Sequence, residues 1–283
     1  MLPNLIVIGA QKCGTSTLHS LLGQHPQICM STVKELNFFT WHWERGLDWY
    51  ASQFDDAPVR GEATPEYTMQ PGWPEVPARM AASVPDARLV YLTRDPVERI
   101  ASQWMHATAS GVWNASFEDT VRDPGFPDSN FVVRSRYWSQ EAAYLRHFAE
   151  EQLLVASMDQ LVSDTEATLA RILAHVGLDP AGARDLHLVH ANAATLTRPP
   201  WLARRIRQRG GADRSFRGIE ARAFEALRRR FSGPIERPQP DTATRALILE
   251  ALGDDLEAFT ARHPAVVDSW RPRDPARRSA PPA

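Results

Sequence analysis

The sequence predicts an α/β protein: a central parallel sheet flanked by helices, with a C-terminal helical elaboration. Three observations predict it. Short apolar runs of strand length, at residues 5–9, 88–92 and 153–157, alternate with longer segments carrying the 3.6-residue apolar repeat of helices. The first run ends at Gly9 and leads through a tight, small-residue turn straight into a helix, the arrangement of an α/β phosphate site. The last third reads as helix. A chain of 283 residues, 43% hydrophobic and 23% charged, can bury a sizeable core. One domain is expected over residues 1–270, with the Pro- and Arg-rich residues 271–283 fraying as a tail.

Taken in order, residues 5–9 form a buried strand. Residues 16–24 form a helix with Leu18, Leu21 and Leu22 on one face, capped by Thr15 or Ser16 and stopped by His25-Pro26. A short strand near Ile28-Cys29-Met30 precedes the irregular Lys34-Glu35-Leu36-Asn37-Phe38-Phe39. A short helix lies within residues 46–54, and residues 59–62 form an edge strand ended by Thr64-Pro65. Residues 75–84 are helical, and 88–92 make the clearest second strand. Arg94-Asp95-Pro96 caps a helix running to about residue 109, with Pro96 suited to its first turn. A helix over 139–150, a strand over 153–157, a helix over 164–176 ending at Gly177, and a helix over 241–262 complete the pattern.

Charge and cysteines exclude several classes. A net charge of −2 gives no global attraction to nucleic acid or to a membrane surface. Two cysteines, Cys13 and Cys29, make no disulfide framework. The first strand begins about four residues after Met1, leaving no basic leader and no long apolar segment. No run reaches the roughly 18 apolar residues of a membrane helix. These features predict a cytoplasmic protein without a transmembrane segment; oligomeric state is not encoded in them. His187-Leu188-Val189-His190 has a metal-ligand spacing but no partner ligands, and no metal is expected.

Two motifs carry chemistry. The turn Gln11-Lys12-Cys13-Gly14-Thr15-Ser16-Thr17 follows a strand and opens a helix, so backbone N–H groups and the helix N-terminus can converge on an anion. Its lysine precedes the second glycine. An ATP-type loop places the lysine after it, and the dinucleotide pattern G-x-G-x-x-G is also absent. The other reading of this turn is a plain strand-to-helix connection with an exposed lysine. The second motif runs from Arg94 to Ser102, again a strand end leading into a helix. Arg94 offers a guanidinium fork, and Ser102 lies two helical turns later near the same face. Read alone, Arg94-Asp95 is equally a helix-capping pair. Read together, the two motifs put phosphate-binding groups at the C-terminal ends of two strands, where open parallel sheets bind ligands.

This arrangement resembles the sulfotransferases that use 3′-phosphoadenosine 5′-phosphosulfate (PAPS). It is most similar to the heparan sulfate sulfotransferase branch and its bacterial relatives. The resemblance rests on Lys12-Cys13-Gly14-Thr15, Lys34-Glu35-Leu36-Asn37-Phe38-Phe39, Gly46-Leu47-Asp48-Trp49-Tyr50 and Arg94-Asp95-Pro96 through Ser102, and more weakly on Arg134-Ser135-Arg136-Tyr137. It implies the P-loop-like sulfotransferase fold and PAPS as co-substrate. Gln11 to Thr17 would form the 5′-phosphosulfate loop, with Lys12 on the oxygen bridging phosphorus and sulfur. Arg94 and Ser102 would hold the 3′-phosphate. Glu35 would be the catalytic base, with Lys34 assisting charge stabilisation; His42 and His106 are the alternative bases. The acceptor would be a hydroxyl, less readily an amine, of a glycan or small metabolite.

The chain also departs from that branch. Its members usually carry a lysine in a Glu-Lys-Thr-Pro segment; here the segment is Glu62-Ala63-Thr64-Pro65. Asn37 stands where a histidine is frequent. Both changes argue against a heparan-like polyanion as acceptor. The C-terminal Lys-Gly-Arg loop has no clean counterpart, and Arg217, with Arg214, is its nearest stand-in. Residues 198–230 hold eleven arginines against three acids. They read either as a grip for an anionic acceptor or lipid headgroup, or as a solvated amphipathic helix. Six of nine tryptophans (Trp41, Trp43, Trp49, Trp73, Trp104, Trp113) fall within residues 41–113 and read as cleft walls and core, or as sugar-stacking faces. The rival functions are a P-loop-type nucleotide kinase and a noncatalytic anion-binding module.

Overall fold

The computed structural model describes residues 1–188 and 235–270. Five strands, β1 (Leu5–Gly9), β2 (Ile28–Met30), β3 (Val59–Ala63), β4 (Arg88–Thr93) and β5 (Leu153–Ser157), form one sheet in the order β2-β3-β1-β4-β5. Every pairing is parallel, with Val7 opposite both Ala63 and Val90, and Leu92 opposite Ala156. Helices cover both faces, so the central strands carry unbroken apolar runs instead of an alternating pattern. All of β1 and all but the first residue of β4 are buried.

The flanking elements follow from local rules. Helix α1 (Thr15–Leu22) buries Leu18, Leu21 and Leu22. α2 (Gly46–Ala51) and α3 (Val76–Ser83) connect the first half of the sheet. α4 (Pro96–Ala109) starts on its proline, and the Asp95 carboxylate accepts from the N–H groups of Val97 at 2.8 Å and Glu98 at 3.1 Å. Short helices α5 (Phe117–Arg122) and α6 (Asn130–Val133) lead to α7 (Tyr137–Leu145). After β5, α8 (Met158–Ser163) and α9 (Thr165–His175) return the chain along the sheet, and Gly177 takes φ +79° beyond the helix end. The C-terminal elaboration comprises α10 (Thr242–Arg262), kinked at Gly253 (φ +43°), and α11 (Pro264–Asp268). Ile248 and Leu252 of α10 pack with Val97, Ile100 and Trp104 of α4, Phe117 and Val121 of α5, and Phe131.

Several expectations change. Residues 59–63 are an interior strand, not an edge. The polar Arg60 and Glu62 give the segment an edge-like pattern, but Glu62 is 0% exposed and satisfied by side chains folded over it. Neither Thr15 nor Ser16 caps α1; Gly14 does, in the left-handed region (φ +88°) and without a side-chain hydrogen bond. The helix expected over 139–150 begins at Tyr137 and ends at Leu145, and the one over 164–176 is preceded by a separate turn of helix, α8. α5 was not expected, although Ser116 and Asp119 announce it: the Ser116 Oγ accepts from the Asp119 N–H at 3.0 Å. The arginine-rich residues 198–230, with Arg214 and Arg217, and the tail 271–283 lie outside the described residues.

Gly9 ends β1 because nothing larger fits. A Cβ there would lie 2.4 Å from Thr68 Oγ1 and 2.9 Å from its Cγ2, and Thr68 is itself buried. Gly9→Ala is therefore expected to destabilise the fold by about 1–3 kcal/mol, as overpacking does, read by chemical denaturation.

Candidate active site

The sheet order places β1 at the switch point, with β3 on one side and β4 on the other. The loops after these three strands meet above its C-terminal edge, where such sheets bind ligands. A cleft of about 250 Å³ opens there, lined by Gln11, Lys12, Gly14, Thr15, Ser16, Glu35, Pro65, Glu66 and His106. Five of these come from the first motif, and Glu35 and His106 join them from elsewhere in the sequence.

Within the cradle the first helical hydrogen bond is Leu18 N–H to Gly14 C=O at 3.0 Å. The N–H groups of Thr15, Ser16 and Thr17 therefore have no intrahelical partner and, with the helix dipole, favour an anion at this end. Lys12 adopts φ +69°, turning its side chain into the cleft. Burial lowers the pKa of its ammonium; Glu35 opposes that shift, while Arg99, Lys34 and Arg134 reinforce it.

The same turn sends Cys13 the other way. Its side chain is fully buried, with Sγ 3.7 Å from the Tyr137 hydroxyl, and burial pushes the thiol up to about 11. The expectation that Cys13 lines the cradle is corrected: its side chain belongs to the core, and its N–H donates to Ala10 C=O at 3.2 Å. Thr17 does not line the cleft either.

The second motif meets the first. Arg94 Nη1 lies 3.5 Å from the carbonyl of Lys12, so the ends of β1 and β4 share one site. Arg94 is 5% exposed and pairs with Glu98 at 3.3 Å. Asp95 caps α4 but pairs with Arg245 at 3.2 Å, so the Arg94-Asp95 capping pair is not formed. Ser102 is half-buried on α4. Arg237, which no sequence pattern singled out, donates to the same Glu98 carboxylate at 2.5 Å. Glu98 thereby holds two guanidiniums beside the cradle. Arg99 adds a third: it is 0% exposed, bonded to Ser135 Oγ at 2.5 Å, and its Nη1 has no partner.

Glu35 sits on a loop with two non-glycine residues in the left-handed region, Glu35 itself (φ +66°) and Asn37 (φ +52°). Its carboxylate is about half exposed and lies 2.5 Å from Lys34 Nζ. Glu35 pairs with Lys34 and also lines the cleft that Lys12 enters. His106, on α4, lines the same cleft. Burial lowers its pKa, and Lys12 does so further against the opposing pull of Glu35. His42 does not line the cleft; its ring meets Trp49 at 5.8 Å. Ala63 is buried, and its methyl group offers an acceptor neither charge nor hydrogen bond. Glu66 and Arg134 form a two-point ion pair at 3.0 and 3.2 Å along the cleft wall.

The tryptophans are mostly structural. Trp43 and Trp49 pack around Phe38, and Trp104 joins the α4–α5 core; Trp41 alone of the six is largely exposed, edge-on to Trp73. Among the described residues no three His, Cys, Asp or Glu side chains gather as a metal-binding group. His187 donates its N–H to Gln24 Oε1 at 3.0 Å, and His190 lies outside the described residues. Among the described residues no helix is long and apolar enough to cross a membrane.

A parallel sheet with a strand-to-helix turn after its central strand and Arg94 at the neighbouring strand end defines a P-loop-like α/β protein. The chain belongs to the sulfotransferase family, whose sulfotransferase domain matches residues 2–194. It is 31% identical over 185 residues to human heparan sulfate glucosamine 3-O-sulfotransferase 3B1, covering 62% of this chain and 46% of that protein. To the membrane-associated sulfotransferase kil1 of Dictyostelium discoideum it is 36% identical over 134 residues, 43% of this chain and 28% of that protein. A solved sulfotransferase from Alicyclobacillus acidocaldarius superimposes with a TM-score of 0.57 at 26% identity, covering 64% of this chain and 83% of that one. The chain spans less than half the length of these two curated relatives.

Proposed function

We propose that this protein transfers a sulfuryl group from PAPS to a hydroxyl of a carbohydrate or small-metabolite acceptor, and does so in the cytoplasm. The observation that carries the reading is the cleft itself: an ammonium, a helix N-terminus and a carboxylate line it together, with Arg94 from the next strand end beside the lysine carbonyl. Sulfuryl transfer is an in-line displacement. The acceptor oxygen forms a bond to sulfur as its proton passes to Glu35, and the bond between sulfur and the bridging oxygen breaks. The electron pair leaves with the phosphate of 3′-phosphoadenosine 5′-phosphate (PAP). Lys12 and the free N–H groups of Thr15, Ser16 and Thr17 stabilise that departing charge. Alignment in the cleft supplies the rest.

Arg94 and Arg237 would take the 3′-phosphate, with Ser102, in place of the Glu98 carboxylate they now share. That group separates PAP from ADP, so thermal shift with the two nucleotides tests the reading. PAP at a hundred times its dissociation constant is expected to stabilise the protein by about 2.7 kcal/mol, with ADP far behind. Equal shifts from both, or none, would sink the proposal. The absence of a lysine at position 63 favours a neutral acceptor over a polyanion; a panel of saccharides and small alcohols with labelled PAPS identifies it.

A further inference from the structure

Glu62 has no role in the chemistry just described, yet it is a fully buried carboxyl close to it. It is the fourth residue of β3, 0% exposed, and none of the ion pairs among the described residues includes it. Burying a carboxyl away from any cation is unfavourable unless hydrogen bonds replace the lost water. Here they do. Tyr50 Oη, Tyr67 Oη at 2.8 Å and Thr64 Oγ1 at 2.7 Å donate to it.

These partners point to one place. Tyr67, its own proton committed to Glu62, accepts from the Phe38 N–H at 2.9 Å. Thr64 likewise accepts from the Asn37 N–H at 3.3 Å. Two consecutive backbone N–H groups, of Asn37 and Phe38, are thereby tied to one carboxyl, each through one hydroxyl. Tyr50 adds a side-chain hold, stacking on the Phe38 ring at 4.1 Å. The loop so held is the one whose residues 35 and 37 sit in the left-handed region, a conformation that non-glycine residues keep only when their surroundings impose it.

We infer that Glu62 is a positioning residue: its buried carboxyl, through Tyr50, Thr64 and Tyr67, imposes the strained loop conformation that presents Glu35 to the cleft. The inference rests on Glu35 being the base. Glu62→Gln keeps the shape but sets an amide donor against the donors it should accept from. In the full-length protein this variant is expected to bind PAP as the wild type does, since the cradle is built on β1 and α1. Its backbone amides at Asn37 and Phe38 are expected to exchange with deuterium faster, while those of β1 and β4 do not. Sulfate release from labelled PAPS, with water as acceptor, is expected to fall about a hundredfold in kcat, the cost of a small misplacement, with KM for PAPS unchanged. Tyr67→Phe, which removes the Phe38 acceptor and one of the donors to Glu62, should move the same readouts in the same direction and serves where Glu62→Gln does not fold. Unchanged exchange at residues 37 and 38 would overturn the inference, as would equal acceleration in β1 and β4, the mark of a merely structural residue. Retained turnover in Glu35→Gln is a separate failure: it removes Glu35 as base and leaves the exchange result standing.

Discussion

Glu35→Gln is expected to lower sulfuryl transfer by about 10²–10⁴-fold, the usual contribution of a positioned proton acceptor, while leaving PAP affinity intact. The amide is nearly isosteric, so the loop held by Glu62 keeps its course; only the capacity to take the acceptor's proton is lost. Glu35 is far enough in the open for an acceptor to reach, at about half exposure, and its Lys34 partner lies at 2.5 Å. The measurement is labelled-sulfate transfer from PAPS beside PAP titration by calorimetry. His106 shares the cleft, and burial and Lys12 keep its imidazole neutral to lower pH than an ordinary histidine. Wild-type turnover in Glu35→Gln, together with its loss in His106→Ala, would move the base role to α4.

Lys12→Ala is expected to lower kcat by about 10²–10³-fold, or about 2.7–4 kcal/mol of transition-state stabilisation, as loss of a donor on a developing anion does. PAP affinity should fall less, because the helix N-terminus and the arginines at the other phosphate remain. The sign of the pH effect follows from the environment. Burial lowers the Lys12 pKa, so its ammonium loses its proton at lower pH than an exposed lysine. Activity is therefore expected to decline on the alkaline side, and Lys12→Arg, whose charge persists there, to remove that decline at some cost in kcat. An alkaline limb identical in both proteins would show that another group titrates.

Much of this site could be read in the chain because its parts are local. Strand, glycine, lysine and small residues in succession announce the cradle, and Asp95-Pro96 announces α4 with Arg94 just ahead of it. Reading failed where side chains of similar pattern face different ways. Cys13 adjoins Lys12 in sequence, but a left-handed residue between strand and helix sends the two side chains to opposite sides. Glu62 looked like the polar residue of an edge strand, because the tyrosines that satisfy it stand twelve and five positions away. Asp95 looked like the partner of Arg94, yet the Arg94 guanidinium is taken by Glu98 one helical turn on.

The chain's own residues settle the class of fold, the order of its strands and the two strand-to-helix motifs, since each depends on neighbours within a turn or a strand. The family follows from those motifs. Folding alone decided which of them meet. Arg94 reaches the Lys12 carbonyl across 82 positions, and Arg237 reaches Glu98 across 139. The Glu35 loop is held from β3 and from Tyr50 and Tyr67 on the elements flanking it. Contacts of that length are set by the packing of the sheet and its helices, which no local pattern records. The cradle is therefore written in the sequence, and the cleft that gives its lysine a carboxylate to face is made by the fold.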